Sequence, residues 1–208
     1  MADHFLETLM TPAALAAQRD YYGAAQTPPE AAGIDLLGDE ERDFIEARDS
    51  FYMASVSPDG WPYIQHRGGP RGFLKAQAAN RIAFADLRGN RQLLSTGNLS
   101  ADDRVALFLM DYPNRTRLKL LGRATILDAR QHPDLARTLV PASLASRVER
   151  IFQIEVESLD WNCPQYITPR FTPEEIEPAV APLRQRIAEL ERALQQARGA
   201  LPTQPIQP

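Results

Sequence analysis

Hydrophobic and polar positions change rhythm twice along the chain. From residue 3 to 49 they follow a helical spacing. Phe5, Leu6 and Leu9 form one patch, and Thr11-Pro12 then sets a capping side chain before a proline at the first helical position. Residues 3–22 are expected as a helix or a broken pair. Gly23 to Gly33, with Thr27-Pro28-Pro29, is a loop. Residues 39–49, DEERDFIEARD, are an amphipathic helix that buries Phe44 and Ile45, with Asp39 as its cap. From Phe51 the spacing shortens. Apolar runs between turn signals predict strands at 51–57, 61–66, 73–77, 82–86, 105–111, 116–127 and 148–156. In the longest run Leu118, Leu120 and Gly122 fall on one face and Arg117, Lys119 and Leu121 on the other. A short helix capped by Asn90 is expected within 87–98, and another at 132–139. Six to seven strands with flanking helices make an α+β, mainly β chain. The pattern fits an antiparallel barrel or sandwich.

The third rhythm begins after residue 171. Residues 159–171, LDWNCPQYITPRF, have no period and are expected as an irregular segment ordered by packing. Thr172-Pro173-Glu174-Glu175 supplies a cap, a proline and first-turn acids, so 172–198 is predicted as a C-terminal amphipathic helix. Leu183, Ile187, Leu190 and Leu194 follow a 4-3-4 spacing, a seam of about two heptads that suits packing on its own domain or on a second copy. Residues 199–208 are expected to be a disordered tail. The resulting organisation is a helical segment at 1–50, a β domain at 51–171, the helix at 172–198 and the tail.

Length and composition narrow the classes. A chain of 208 residues is one domain, or one domain with appendages. A net charge of -4, from 27 acidic and 23 basic residues, argues against a nucleic-acid binder. No apolar run approaches the roughly 18 residues of a membrane span, and MADHFLETLM lacks the basic start of a secretory signal. The single cysteine, Cys163, cannot form an intrachain disulfide, which fits a cytoplasmic setting.

Against that acidic background the basic residues are concentrated at 67–75, 88–91 and 115–123. Arg71 and Lys75 flank a strand start after the glycine-rich RGGPRG. Arg91 and Gln92 follow Gly89-Asn90. A phosphate needs backbone N–H groups from such turns together with guanidinium and ammonium donors. The alternative is a set of solvated surface arginines. His66-Arg67 offers a general acid or an anion clamp for substrate, or simply a strand-end histidine bonded to a carbonyl. Cys163 has no base placed beside it, so a packed thiol is the simpler reading. One Cys and three scattered His give no metal-ligand spacing.

The runs RGFLK at 71–75, IAFAD at 82–86, RGNRQ at 88–92, RVALFL at 104–109 and RTRLKLLGRA at 115–124 resemble the pyridoxamine-phosphate-oxidase-like family of FMN-binding split barrels. The resemblance covers roughly residues 40–160. It implies a split β-barrel, FMN as cofactor and a homodimer with FMN at the subunit interface. It implies that Lys75 and Arg91 contact the phosphate, with Arg71 beside them and Gln92 where the family has a lysine. Arg117 then stands where a glutamine contacts the flavin ring. Trp161 and Gln165 are further candidates for flavin or substrate contact. QHRGGPRGF and the long tail helix depart from the true oxidases, and their C-terminal substrate signature is not recognisable, so the expected activity is an FMN-dependent oxidoreductase with another small-molecule substrate. A non-catalytic flavin- or haem-binding, electron-relay or sensor protein is the alternative.

Overall fold

The structure, a computed structural model, describes residues 3–31, 33–161 and 164–199. The chain divides into two compact units, Met1–Ile167 and Thr168–Pro208. The first is built on seven strands: β1 (Ser50–Val56), β2 (Pro62–Gly68), β3 (Leu74–Ala78), β4 (Arg81–Leu87), β5 (Arg104–Asp111), β6 (Thr116–Asp128) and β7 (Val148–Trp161). They form one antiparallel sheet in the order β2-β1-β5-β6-β7-β4-β3. The sheet curls until Arg67 on β2 meets Asp86 on β4 at 2.9 Å, and this contact helps close the split barrel.

Alternation decides what fills the barrel. β1 buries Phe51, Met53 and Ser55, β5 buries Val105, Leu107 and Leu109, and β6 buries Leu118, Leu120, Gly122 and Ala124. Phe51 stacks on Phe73 at 5.7 Å, and Phe84 stacks on Phe152 at 4.9 Å. A smaller cluster lies outside the sheet, where Ala83, Ala85 and Ile151 pack with Ala136 and Leu139.

The helices flank the barrel. α1 (Asp3–Leu9) and α2 (Pro12–Tyr22) are the expected broken pair, with the Thr11 hydroxyl accepting from the Ala14 N–H. α3 (Asp39–Glu46) is capped by Gly38, not by Asp39. The Glu41 carboxylate turns back to accept the Gly38 N–H at 2.9 Å, so Asp39 falls one place inside the helix. α4 (Leu94–Leu99) starts four residues after Asn90. Leu93 occupies the cap in a left-handed conformation, and Asn90 instead closes its own turn. α5 (Pro133–Leu139) is followed by a 3₁₀ segment at Ala142–Arg147.

One irregular stretch begins later than expected. β7 runs on to Trp161 because Leu118, Lys119 and Leu120 of the long β6 remain available to pair with Trp161, Asp160 and Leu159. In the second unit α6 (Pro173–Gly199) is a single helix of 27 residues. Thr172 and Glu175 exchange hydrogen bonds at its start, forming a capping box. Most of the expected tail lies outside the described residues.

Candidate functional site

β2 divides the His66-Arg67 pair between two faces. Tyr63, Gln65 and Arg67 lie on the partly covered side, while Ile64 and His66 lie on the exposed one. His66 stands edge-on to Tyr52 with ring centres 5.6 Å apart. Arg67 turns inward over Phe152 and Phe84, at 4.9 and 5.6 Å from the ring centres. Its Nη1 donates to Asp86 Oδ1 at 2.9 Å. Arg150 Nε donates to the other Asp86 oxygen at 2.8 Å. Burial lowers the Arg67 pKa and the Asp86 charge opposes that shift. The Arg67 Nε is buried and has no hydrogen-bond partner within the chain.

This cluster forms the wall of a cavity of about 260 Å³, completed by the 89–93 loop and the start of α4. Three arginines (Arg67, Arg91, Arg150) line it against one carboxylate, Asp86, so the wall is cationic. The loop is tightly specified. Asn90 Oδ1 accepts from the Gln92 N–H at 3.2 Å, and the Asn90 amide donates to Gln92 Oε1 at 3.1 Å. Arg91 and Leu93 are left-handed, at φ 61° and 56°. That conformation is uncommon away from glycine and is worth attention beside a cavity. α4 is anchored by Ser95, whose hydroxyl donates to Gln65 at 3.0 Å, and by Asn98, which donates to the Ser55 hydroxyl at 2.9 Å. Outside the cavity Glu149 accepts from Arg88 and lies 3.7 Å from Arg91.

Arg71 and Lys75 line a second cavity, also about 260 Å³, against Phe73, Leu139 and Val140. The glycine loop sets up this wall. Gly72 is left-handed at φ 78°, and a Cβ on Gly69 would stand 2.7 Å from the Phe73 ring. Arg71 Nε donates to the Ala47 carbonyl at 3.0 Å. A third hollow of about 150 Å³ shares Arg67, Asp86 and Leu87 with the first cavity and Phe73 with the second.

The structure therefore gathers Asn90, Arg91, Gln92 and Arg67 in one cavity and places Arg71 and Lys75 in another, so within one chain Lys75 and Arg91 do not share a cavity. Arg117 stands apart, on the outer face of the sheet, 5.6 Å from the Phe108 ring centre with its Nε buried and unpartnered. Trp161 is engaged structurally. Its indole N–H donates to Glu41 at 2.7 Å and its ring meets Phe44 edge-on. Gln165 lies in an exposed turn, while Asn162 and Cys163 lie outside the described residues. Sequence reasoning missed Tyr63, Gln65, Asp86, Ser95 and Arg150. The alternation of β2 could have found the first two, which share Arg67's side of the strand.

Residues 37–160 match the family described as Pyridoxamine 5'-phosphate oxidase, and the chain belongs to that family. No curated protein matches the sequence. Among solved structures the chain is similar to HupZ from Group A Streptococcus, at 13% identity and a TM-score of 0.47, over 65% of this chain and 99% of that one. It is similar to an FMN-binding protein from Syntrophomonas wolfei, at 10% identity and a TM-score of 0.46, over 59% of this chain and 83% of that one. It is also similar to an F420 reductase, at 16% identity and a TM-score of 0.43, over 60% of this chain and 98% of that one. Likenesses this distant add nothing to the family assignment.

Proposed function

We propose that the chain is an FMN-dependent oxidoreductase acting on a small molecule other than pyridoxamine phosphate, with two copies completing each site. The observation that carries this reading is the Arg67 Nε: a buried donor without a partner, in a group that lines a cavity with three guanidiniums and one carboxylate. Buried donors are rarely left unpaired, and an anionic or carbonyl-bearing ligand supplies the missing acceptor. The donor set fits a flavin mononucleotide. Arg91 and the Asn90–Gln92 turn suit its phosphate, and Ser95, Thr96 and Tyr63 supply hydroxyls for its polyol chain. Arg71 and Lys75 place a second pair of cations in the other cavity.

FMN, when bound, supplies the electron-transfer chemistry. The protein's own residues bind and orient. Asp86 and Arg150 hold the Arg67 guanidinium rigid against Phe84 and Phe152, so its free N–H is fixed before a ligand arrives. Rigid donors aimed at developing negative charge favour reduction of the group they face. Arg117 lies on an outer face bearing Tyr52, Val56 and Ile64, which are exposed at 37%, 37% and 65%. A second copy seated there covers Arg117 together with these apolar side chains.

The test is the absorption spectrum and mass of whatever co-purifies, followed by titration with FMN and with a deazaflavin. The protein is expected to be yellow and to prefer FMN. A colourless protein that takes up no FMN defeats the proposal. Reduction by NADH or NADPH and reoxidation by oxygen or quinones then separates an enzyme from a passive carrier, which no donor reduces at a useful rate.

A further inference from the structure

We infer that α6 pairs antiparallel with α6 of a second copy as a two-stranded coiled coil. Ile176, Leu183, Ile187, Leu190 and Leu194 are exposed at 43%, 64%, 56%, 52% and 51%, a stripe of large apolar side chains along one helix. With Val180 they continue a 4-3 alternation from residue 176 to 194, longer than the four-residue seam of Leu183, Ile187, Leu190 and Leu194. The two prolines inside the helix, Pro178 and Pro182, fall on the opposite side and leave that stripe uninterrupted.

The charges beside the stripe choose the occupant and its direction. The position following each of Ile176, Leu183, Leu190 and Ala197 holds Glu177, Arg184, Glu191 and Arg198. These share one flank of the seam. Arg184 reaches Glu177 along it with hydrogen bonds of 2.9 and 2.7 Å. The row runs acid, base, acid, base, so it is complementary to itself when reversed. In an antiparallel pair this flank faces its own copy. Glu177 then meets the second copy's Arg198 and Arg184 meets the second copy's Glu191, each pair occurring twice. A parallel pair instead sets this flank against the other one, which holds Ala179, Arg186 and Ala193, and only Arg186 finds an acid there. The antiparallel register places Leu183 opposite Leu194 and Ile187 opposite Leu190.

The test uses the full chain with Cys163→Ser, so that introduced thiols are the only ones, and it needs no bound cofactor. Leu183→Cys and Leu194→Cys are expected to link to each other under mild oxidation when the two variants are mixed, and neither to itself. Gln185→Cys, on the outer side, serves as the collision control. Arg184→Glu is expected to slow the mixed linkage roughly three- to tenfold, as loss of two exposed pairs allows. Adding Glu191→Arg restores the rate, because the reversed row is again self-complementary; in a parallel pair the same double change sets Arg186 against an arginine. Self-linked Leu183→Cys and Leu194→Cys without the mixed product, or linkage no faster than for Gln185→Cys, overturns the inference.

Discussion

At the scale of single residues, two buried ion pairs do different work. Arg48 holds α3 to the end of β5. Its Nη2 donates to Asp111 at 2.8 Å, its Nη1 to the Met110 carbonyl and its Nε to the Phe44 carbonyl, with the guanidinium 4.4 Å from the Phe44 ring centre. Burial alone would raise the Asp111 pKa, but the Asn114 N–H and amide and then Arg48 outweigh it, so its pKa is lowered. The sign follows from linkage. Below an ordinary carboxyl pKa of about 4 the unfolded chain takes up the proton first, so this pair's stabilisation is present above that value. It is lost as pH falls through the depressed native pKa. Arg48→Ala leaves the buried Asp111 carboxylate with only the Asn114 donors and no opposite charge, and is expected to cost about 3 kcal/mol in urea unfolding at neutral pH, with the acid limb of stability shifted to higher pH. An unchanged acid limb would show that Arg48 does not set that titration. The Arg67–Asp86–Arg150 cluster is instead built around an unused donor. Arg67→Ala leaves Asp86 with Arg150 and is expected to weaken flavin binding at least about tenfold in a fluorescence titration. Equal affinity would assign Arg67 to barrel closure alone.

At the scale of elements, Gly122 shows how little of a close contact is written in a strand pattern. A Cβ there would stand 2.3 Å from the Glu155 carbonyl, beside the irregularity in β6–β7 pairing between Leu121 and Gly122. Gly122→Ala is expected to destabilise by about 1–3 kcal/mol, seen as a lower denaturation midpoint with the strand content retained. All seven strands were legible because apolar runs and turn residues marked them, and the alternating faces of β6 follow from its period alone. The reach of β7 to Trp161 was not legible, because its pairing is owed to the length of β6, a separate strand earlier in the chain. Asn90 was likewise expected to cap α4, since a side chain that closes a turn and one that caps a helix look the same in sequence. The cations of 71–75 and 88–91 were found as candidates. Their division between two cavities was not, because it depends on where the glycine loop and the α4 loop settle around Phe73 and Asp86.

At the scale of the whole molecule, two exposed apolar surfaces remain on the chain. One is the outer face with Tyr52, Val56 and Ile64, and the other is the stripe of α6. The stripe is proposed to pair with its own kind, and where the outer face also meets its own kind, each contact carries a two-fold axis. If the axes differ, the contacts alternate from chain to chain and assembly runs on beyond two copies; if they coincide, one closed dimer forms. A site completed by a single second copy requires only the closed form, so the unmodified protein is expected to sediment at twice the chain mass. The two surfaces then fail separately. Ile64→Asp puts a charge into the outer face and is expected to release the flavin while the tails still hold the copies together. Ile187→Asp with Leu190→Asp opens the coil and is expected to leave both flavin and dimer in place. All three changes together yield a monomer. Sedimentation and flavin content, measured on each variant, check the set. A colourless Ile64→Asp protein that is already monomeric shows that the tails contribute nothing to association, and one that stays yellow removes the outer face from the site.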